Sequence, residues 1–165
     1  MKIPKSKLSK NSLKERVIVV TGAGSGIGRA LSFELAKNNA DLILLSRDKI
    51  KLDSLQDEIK ENFGIEPLTV EFDFFKAKEK DYNFLIENLI DNYTKIDGLV
   101  HVAGILGYLS PFTSTSPSQL ETVMKINFES NFLLTKALMP LLEKSECPSV
   151  ISVSYTHLTL PTTYT

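Results

Sequence analysis

Thr21-Gly22-Ala23-Gly24-Ser25-Gly26-Ile27-Gly28 joins two segments of different periodicity, and the change of period across it decides the fold. Before it, Arg16-Val17-Ile18-Val19-Val20-Thr21 is a β-branched run closed by Gly22, the pattern of a strand buried on both faces. After it, Ile27, Leu31 and Leu35 recur every fourth residue. That spacing predicts a helix from Gly26 with this stripe on the core, ended by Asn38-Asn39. Strand, glycine turn and helix in this order make an anion-binding device. Glycine permits positive φ and lets the backbone approach a ligand that a Cβ would hold away. The helix points its free N–H groups and positive dipole end at the same place. A pyrophosphate fits both the geometry and the charge. A nucleoside-triphosphatase loop would need lysine before Ser or Thr at the helix start, and Gly26-Ile27-Gly28-Arg29 stands there instead.

Downstream the alternation repeats. Leu42-Ile43-Leu44-Leu45 reads as a second buried strand, and Leu52, Leu55 and Ile59 mark a second amphipathic helix. Residues 66–72 read as a third strand. A third helix is expected over 77–93, with Tyr82, Leu85, Ile86, Leu89, Ile90 and Tyr93 on one face. Residues 97–102 give a fourth strand, closed by Ala103-Gly104. Ser116-Pro117-Ser118-Gln119 is a helix start, with serine as N-cap, proline at the first helical position and glutamine completing a capping box. Helical spacing then runs to about Lys144 with a break near Asn127, and residues 148–153 form a fifth strand. Strands separated by long helical stretches imply βαβ crossovers. The fold class expected is α/β, a doubly wound parallel sheet of Rossmann type that stops after its fifth strand.

Composition narrows the function classes. The 165 residues are 42% hydrophobic and 24% charged with net charge −1, a globular balance with no excess charge to recruit nucleic acid or a membrane surface. Residues 1–15 form a basic arm, read as a solvated lead-in; it lacks the continuous apolar stretch of a secretory signal. No run approaches a membrane span. The single cysteine, Cys147, cannot form an internal disulfide, and a cytoplasmic setting is the expectation. His101 has no second histidine or carboxylate at ligand spacing, so it reads as a structural residue at a strand end, and no metal site is expected.

Thr-Gly-x-x-x-Gly-Ile-Gly resembles the cofactor signature of the short-chain dehydrogenase/reductase family, whose members bind NAD or NADP on a Rossmann sheet. The resemblance continues over residues 14–154. Within the family, the run from Asp97 to Leu142 looks most like the YciK-type bacterial oxidoreductases. It implies that Gly22, Gly24, Ser25, Gly26, Ile27 and Gly28 form the cofactor loop, and that Asp73 lies against the adenine with Phe74 beside it. Ala103-Gly104 ends the family's Asn-Asn-Ala-Gly motif, although His101-Val102 replaces the two asparagines that tie neighbouring strands. Asn127 matches the asparagine of the Asn-Ser-Tyr-Lys tetrad, which helps hold a water in the proton relay. The partner implied is a small-molecule carbonyl or alcohol, and a homo-oligomer is implied for the whole protein.

The end of the second strand separates NADP from NAD. An acid there binds the ribose 2′-OH and repels a 2′-phosphate, whereas an arginine attracts that phosphate. By the resemblance, Ser46 occupies the acidic position and Arg47 follows it, which favours NADP. Asp48 lies 20 residues beyond Gly28, near the spacing of an NAD-binding acid. We read it instead as the N-cap of the helix that starts near Lys49.

Family members use tyrosine as acid/base with lysine four residues on, the lysine lowering the tyrosine pKa, and a serine that positions the carbonyl. This chain contains no Tyr-x-x-x-Lys: Tyr155 is followed at the fourth position by Thr159, and Tyr164 by a single residue. Aligned on the resemblance, the catalytic serine falls at Tyr155, next to Ser154. Residues 155–165 hold five threonines and no charge, and resemble translated sequencing adapter more than a protein segment. The expectation is a dinucleotide-binding domain over 16–154, an N-terminal portion of an NADP-dependent oxidoreductase, with a non-native tail over 155–165. As written it lacks the catalytic pair. The alternative is a non-catalytic dinucleotide-binding module.

Overall fold

Val19, Val20 and the run Leu42 to Leu45 are fully buried, because each strand they belong to is covered by helices on both faces. The computed structural model describes residues 11–108 and 111–153. The elements are β1 (Val17–Thr21), α1 (Gly26–Lys37), β2 (Asp41–Ser46), α2 (Lys49–Phe63), β3 (Leu68–Glu71), α3 (Glu79–Ile90), β4 (Gly98–His101), α4 (Pro117–Met124), α5 (Ser130–Leu142) and β5 (Ser149–Ser152). Every strand pair is parallel, and the order across the sheet is β3-β2-β1-β4-β5. Thus the doubly wound parallel sheet expected from the alternation is present. One apolar cluster joins the sheet to α1 and α2 through Val20, Ala36, Leu42, Leu44, Leu52, Leu55 and Ile59. The other joins it to α3 and α5 through Val19, Ile43, Tyr82, Leu85, Leu99, Leu134 and Leu138.

Helix starts follow their side chains. Asp48 caps α2, its carboxylate accepting from the Lys51 N–H at 3.1 Å. Ser116 and Gln119 close the capping box of α4 with proline at its start. The break near Asn127 is a π-helical turn over Lys125–Glu129, in which the Ser130 N–H reaches back to the Lys125 carbonyl. Such turns insert one residue into a helix and re-aim its side chains.

Two expectations about helix faces need correction. The stripe Ile27, Leu31, Leu35 is not the buried face of α1: Ile27 is 47% exposed, and the buried positions are Gly28, Ser32 and Ala36. The glycine loop brings the start of α1 so close to the sheet that only small residues fit between them, and Leu31 and Leu35 pack at the flanks. In α3, Tyr82, Leu85, Ile86 and Leu89 are buried as expected, but Ile90 at the helix end faces water. At the far edge, Val150 and Ile151 of β5 are exposed, as are Phe128, Phe132 and Met139 along the π turn and α5. Most of the basic arm (1–10), Ser154 and the 155–165 tail lie outside the described residues.

Below the sheet, the β4 entry is held by a buried carboxylate. Asp97 accepts from the Val17 N–H (3.0 Å), Ser145 Oγ (2.7 Å), Arg16 (2.8 Å) and Lys95 Nζ (3.0 Å). Burial by itself would raise its pKa; the hydrogen bonds from Ser145, the Val17 N–H, Lys95 and Arg16 outweigh that and hold it well below the usual carboxylate range.

Candidate dinucleotide site

The chain reverses direction across the sheet after β3, returning to the opposite side of β1 as β4. That topological switch point opens a crevice at the carboxyl ends of β1 and β4, where ligands of open α/β sheets bind. The glycine loop lies there, and its glycines do different work. Gly22 has φ +66°, and a Cβ on it would meet the Ala103 backbone N at 2.8 Å, so it lets the β1 and β4 tips touch. A Cβ on Gly24 would meet Ser46 Oγ at 2.9 Å, bringing the loop against the end of β2. Gly26, at φ +53°, opens α1, and a Cβ there would meet nothing within 4 Å, so clear space lies above the helix N-terminus. Gly28 packs on the Gly22 carbonyl.

The tips of β1 and β4 are sewn by a hydroxyl rather than by the asparagines that His101-Val102 replaces. Thr21 Oγ1, fully buried, accepts from both the Val102 and Ala103 N–H groups at 3.0 Å. His101 points its Nε2 at Thr135 Oγ1 (2.9 Å) on α5, and its Nδ1 is buried with no partner among the described residues. Burial pushes its pKa down to about 4. A base whose folded pKa is depressed contributes stability that is complete above its unfolded value near 6.5 and is lost as pH falls from there through about 4. We therefore expect the chain to lose about 3 kcal/mol across that window. Urea titrations at pH 7 and pH 4 would show it, and a His101→Leu variant should flatten the loss; an equal loss in the variant would assign it to other groups.

Of the residues singled out from the sequence, Gly22, Ser25, Gly26, Ile27, Arg47, Asp73, Phe74, Ala103 and Gly104 line one cleft. Gly24 and Gly28 stand behind it, shaping the loop. Arg47 is exposed and has no ion-pair partner among the described residues, whereas Asp48 is committed to capping α2 and to Lys51 Nζ at 3.2 Å. Asp73 lies at the β3 tip, its Oδ1 accepting from the Phe75 N–H at 3.0 Å. Phe74 is mostly buried against Phe72, with ring centroids 5.0 Å apart, so it offers the cleft little surface. Asn127 is outside the cleft wall. Its Oδ1 accepts from the Ile105 N–H (2.9 Å) and its Nδ2 donates to the Ile105 carbonyl (2.8 Å), clamping the loop after β4 to the π turn. Ser46, read above as standing at the acidic position, lines the cleft too, as do Phe75, Ile105 and Ile126, which were not singled out. Phe75 could have been, as an aromatic directly after Asp73-Phe74. Ile126 could not, since only the π turn brings it there.

The short chain dehydrogenase family model matches residues 16–161. The chain belongs to the short-chain dehydrogenase family. The uncharacterized oxidoreductase YciK of Escherichia coli K12 is 36% identical over 142 residues, 86% of this chain and 56% of the relative. Human 17-beta-hydroxysteroid dehydrogenase type 3 is 31% identical over 137 residues, 82% of this chain and 43% of that protein. Among solved structures, a short chain dehydrogenase from Escherichia coli CFT073 complexed with NADPH superposes with TM-score 0.84 at 36% identity, covering 87% of this chain and 60% of that one. One from Shigella flexneri complexed with NADP gives TM-score 0.85 over the same shares. This short-chain dehydrogenase chain thus spans between 43% and 60% of the length of these relatives. Among the described residues, no helix is long and apolar enough to cross a membrane.

Proposed function

We propose that residues 16–154 form the NADP-binding part of an oxidoreductase that moves hydride between a nicotinamide and the carbonyl or alcohol carbon of a small molecule. Residues 1–15 would lead into β1, and 155–165 would stand outside this unit. The observation that carries the reading is the pairing of an open glycine loop at the α1 N-terminus with an arginine that has no ion-pair partner among the described residues at the β2 tip. The residues suit the cofactor. Clear space above Gly26 admits a pyrophosphate, Ser46 in place of an acid removes the repulsion of a 2′-phosphate, and Arg47 supplies the charge to hold one. Asp73 and Phe74 would border the adenosine half, and Ala103 and Gly104 the wall on the β4 side.

When bound, NADP supplies a hydride donor or acceptor at C4 of its nicotinamide. The chain's own residues bind and orient. Asn127 would contribute to a proton relay by position, since both ends of its amide are spent on Ile105. A cytoplasmic setting suits the free, exposed thiol of Cys147, which reducing conditions preserve. The exposed apolar residues Phe128, Phe132 and Met139 suit a contact with a second copy.

Titration of the 165-residue chain with NADPH and NADH, followed by nicotinamide fluorescence, tests the reading. NADPH should bind more tightly. Arg47→Ala should weaken NADPH by roughly tenfold to a hundredfold, the effect of one charge-assisted bond, and leave NADH unchanged. An unaltered NADPH-to-NADH ratio in Arg47→Ala would remove the arginine from the assignment.

A further inference from the structure

β3 ends the sheet on one side. The strand order pairs it with β2, so the outward N–H and C=O groups of Leu68–Glu71 meet no other strand among the described residues. Proteins shorten, charge or cover such an edge, because it invites another extended chain. Beside it, between β3 and α3, runs a groove of about 600 Å³ lined by Leu68, Val70, Phe84 and Leu89. Phe84 is 67% exposed there, a large apolar side chain left in water. Three carboxylates, Glu71, Asp73 and Asp81, line the same groove against one lysine, Lys76, which is paired with Asp73 at 3.6 Å. Glu71 is exposed and has no ion-pair partner among the described residues. A free strand edge, an apolar floor and surplus negative charge together suit an extended segment that is both apolar and basic.

The chain itself carries one. Residues 1–10, Met-Lys-Ile-Pro-Lys-Ser-Lys-Leu-Ser-Lys, hold four lysines and no acid, with Met1, Ile3 and Leu8 as apolar residues. The arm also joins the structure at the right end of the sheet. The Leu13 N–H donates to the Asn38 carbonyl at 3.2 Å, and the Asn39 amide donates to the Asn11 side chain, which holds residue 11 beside the turn into β2. β3 starts at this same end, since Leu68 is in register with Ile43 near the start of β2. Two strand spacings separate β3 from β1, about 10 Å. Residues 7–10 reach about 14 Å when extended, enough to cross, and residues 1–6 are then left for the four residues of β3. We propose that residues 1–6 lie antiparallel along the outer edge of β3, with Ile3 in the groove and the lysines toward its carboxylates. The arm is then a strap over the sheet edge rather than a solvated lead-in. Pro4 is compatible with an outermost strand, where a missing N–H leaves no ladder partner stranded. Exposed ion pairs contribute little singly, so burial of Ile3 holds the arm and charge selects the groove.

Hydrogen exchange followed by mass spectrometry on the 165-residue chain tests the proposal. An arm docked nine-tenths of the time slows exchange of the outward β3 amides about tenfold. Ile3→Asp changes the arm and none of the described packing; it should abolish that protection across Leu68–Glu71 and leave β1 and β4 as in wild type. Glu71→Lys should give a smaller rise at the same amides. Unchanged exchange at β3 in Ile3→Asp overturns the proposal. Protection that fades when the wild-type chain is diluted also overturns it, by assigning the groove to the arm of a second copy. Disulfide trapping in a Cys147→Ser chain gives an independent reading. Lys5→Cys with Asn88→Cys, in the groove, should close faster than Lys5→Cys with Ile50→Cys, on α2 across the sheet and 82% exposed. Equal rates for the two pairs mean an arm without a seat, and the proposal fails.

Discussion

Gly28→Ala is expected to cost the fold about 3 kcal/mol or more, the upper range for overpacking a site that cannot relax. A Cβ there would sit 2.2 Å from the Gly22 carbonyl oxygen, 2.8 Å from its carbonyl carbon and 3.2 Å from the Ala23 Cα. All three are backbone atoms of the loop between β1 and α1, so no side-chain rotation relieves the clash. Either α1 lifts from the sheet, uncovering the face on which Ser32 and Ala36 are buried, or Gly22 loses its contact with Ala103. Gly26→Ala provides the contrast. Its φ of +53° costs about 1 kcal/mol for a residue with a Cβ, but nothing lies within 4 Å to clash with it. Urea unfolding followed by circular dichroism compares the two. A Gly28→Ala midpoint within error of wild type would mean that α1 does not pack on the loop as described.

Asp97→Ala should be nearly as damaging, at about 3 kcal/mol, because it strands groups that have no substitute partner. The Asp97 side chain is 4% exposed and holds the Val17 N–H, the Ser145 hydroxyl, Arg16 and Lys95 at once. It thereby ties the start of β1 to the start of β4 and to the turn before β5. Its depressed pKa gives the sign of the pH effect. The contribution is present above the ordinary carboxylate value and is lost as pH falls through the lowered one, below the window in which His101 acts. Asp97→Asn separates charge from hydrogen bonding, since the amide can still accept from Val17 or Ser145 but cannot attract Arg16 and Lys95. Stability curves between pH 2 and pH 7 would decide the matter: an Asp97→Ala curve that parallels wild type at low pH, with no gap opening above pH 4, contradicts the assigned role.

Much of the architecture was legible because its causes are local. The β-branched run at 17–21, the leucine run at 42–45 and the caps at Asp48 and Ser116 each determine an element within a few residues of themselves, and each element is present. The α1 face was misread because helical periodicity reports which residues are apolar, not how near the neighbouring layer stands. Where a glycine loop draws helix and sheet together, small residues take the buried face and leucines move to the flanks. The cleft was legible in the same measure. Gly22, Arg47, Asp73 and Ala103 lie at strand tips, and parallel strands deliver all their tips to one end of the sheet. Ile105, Ile126 and the second partners of Phe75 and Asn127 lie on the loop after β4 and on the π turn, whose approach depends on packing across 22 residues of chain.

From its residues alone, the chain determines alternating strands and helices, a glycine loop between β1 and α1, and a serine followed by an arginine at the β2 tip. These follow from steric and capping preferences that act between near neighbours. Only the tertiary structure decided that Thr21 joins the β1 and β4 tips, that Asp97 is a four-partner buried hub, that His101 is buried beside Thr135, and that Phe75 stands at the cleft near Lys125. Each of these depends on which distant groups burial brings within about 3–6 Å, a distance at which hydrogen bonds and cation–π contacts act and that no local pattern encodes.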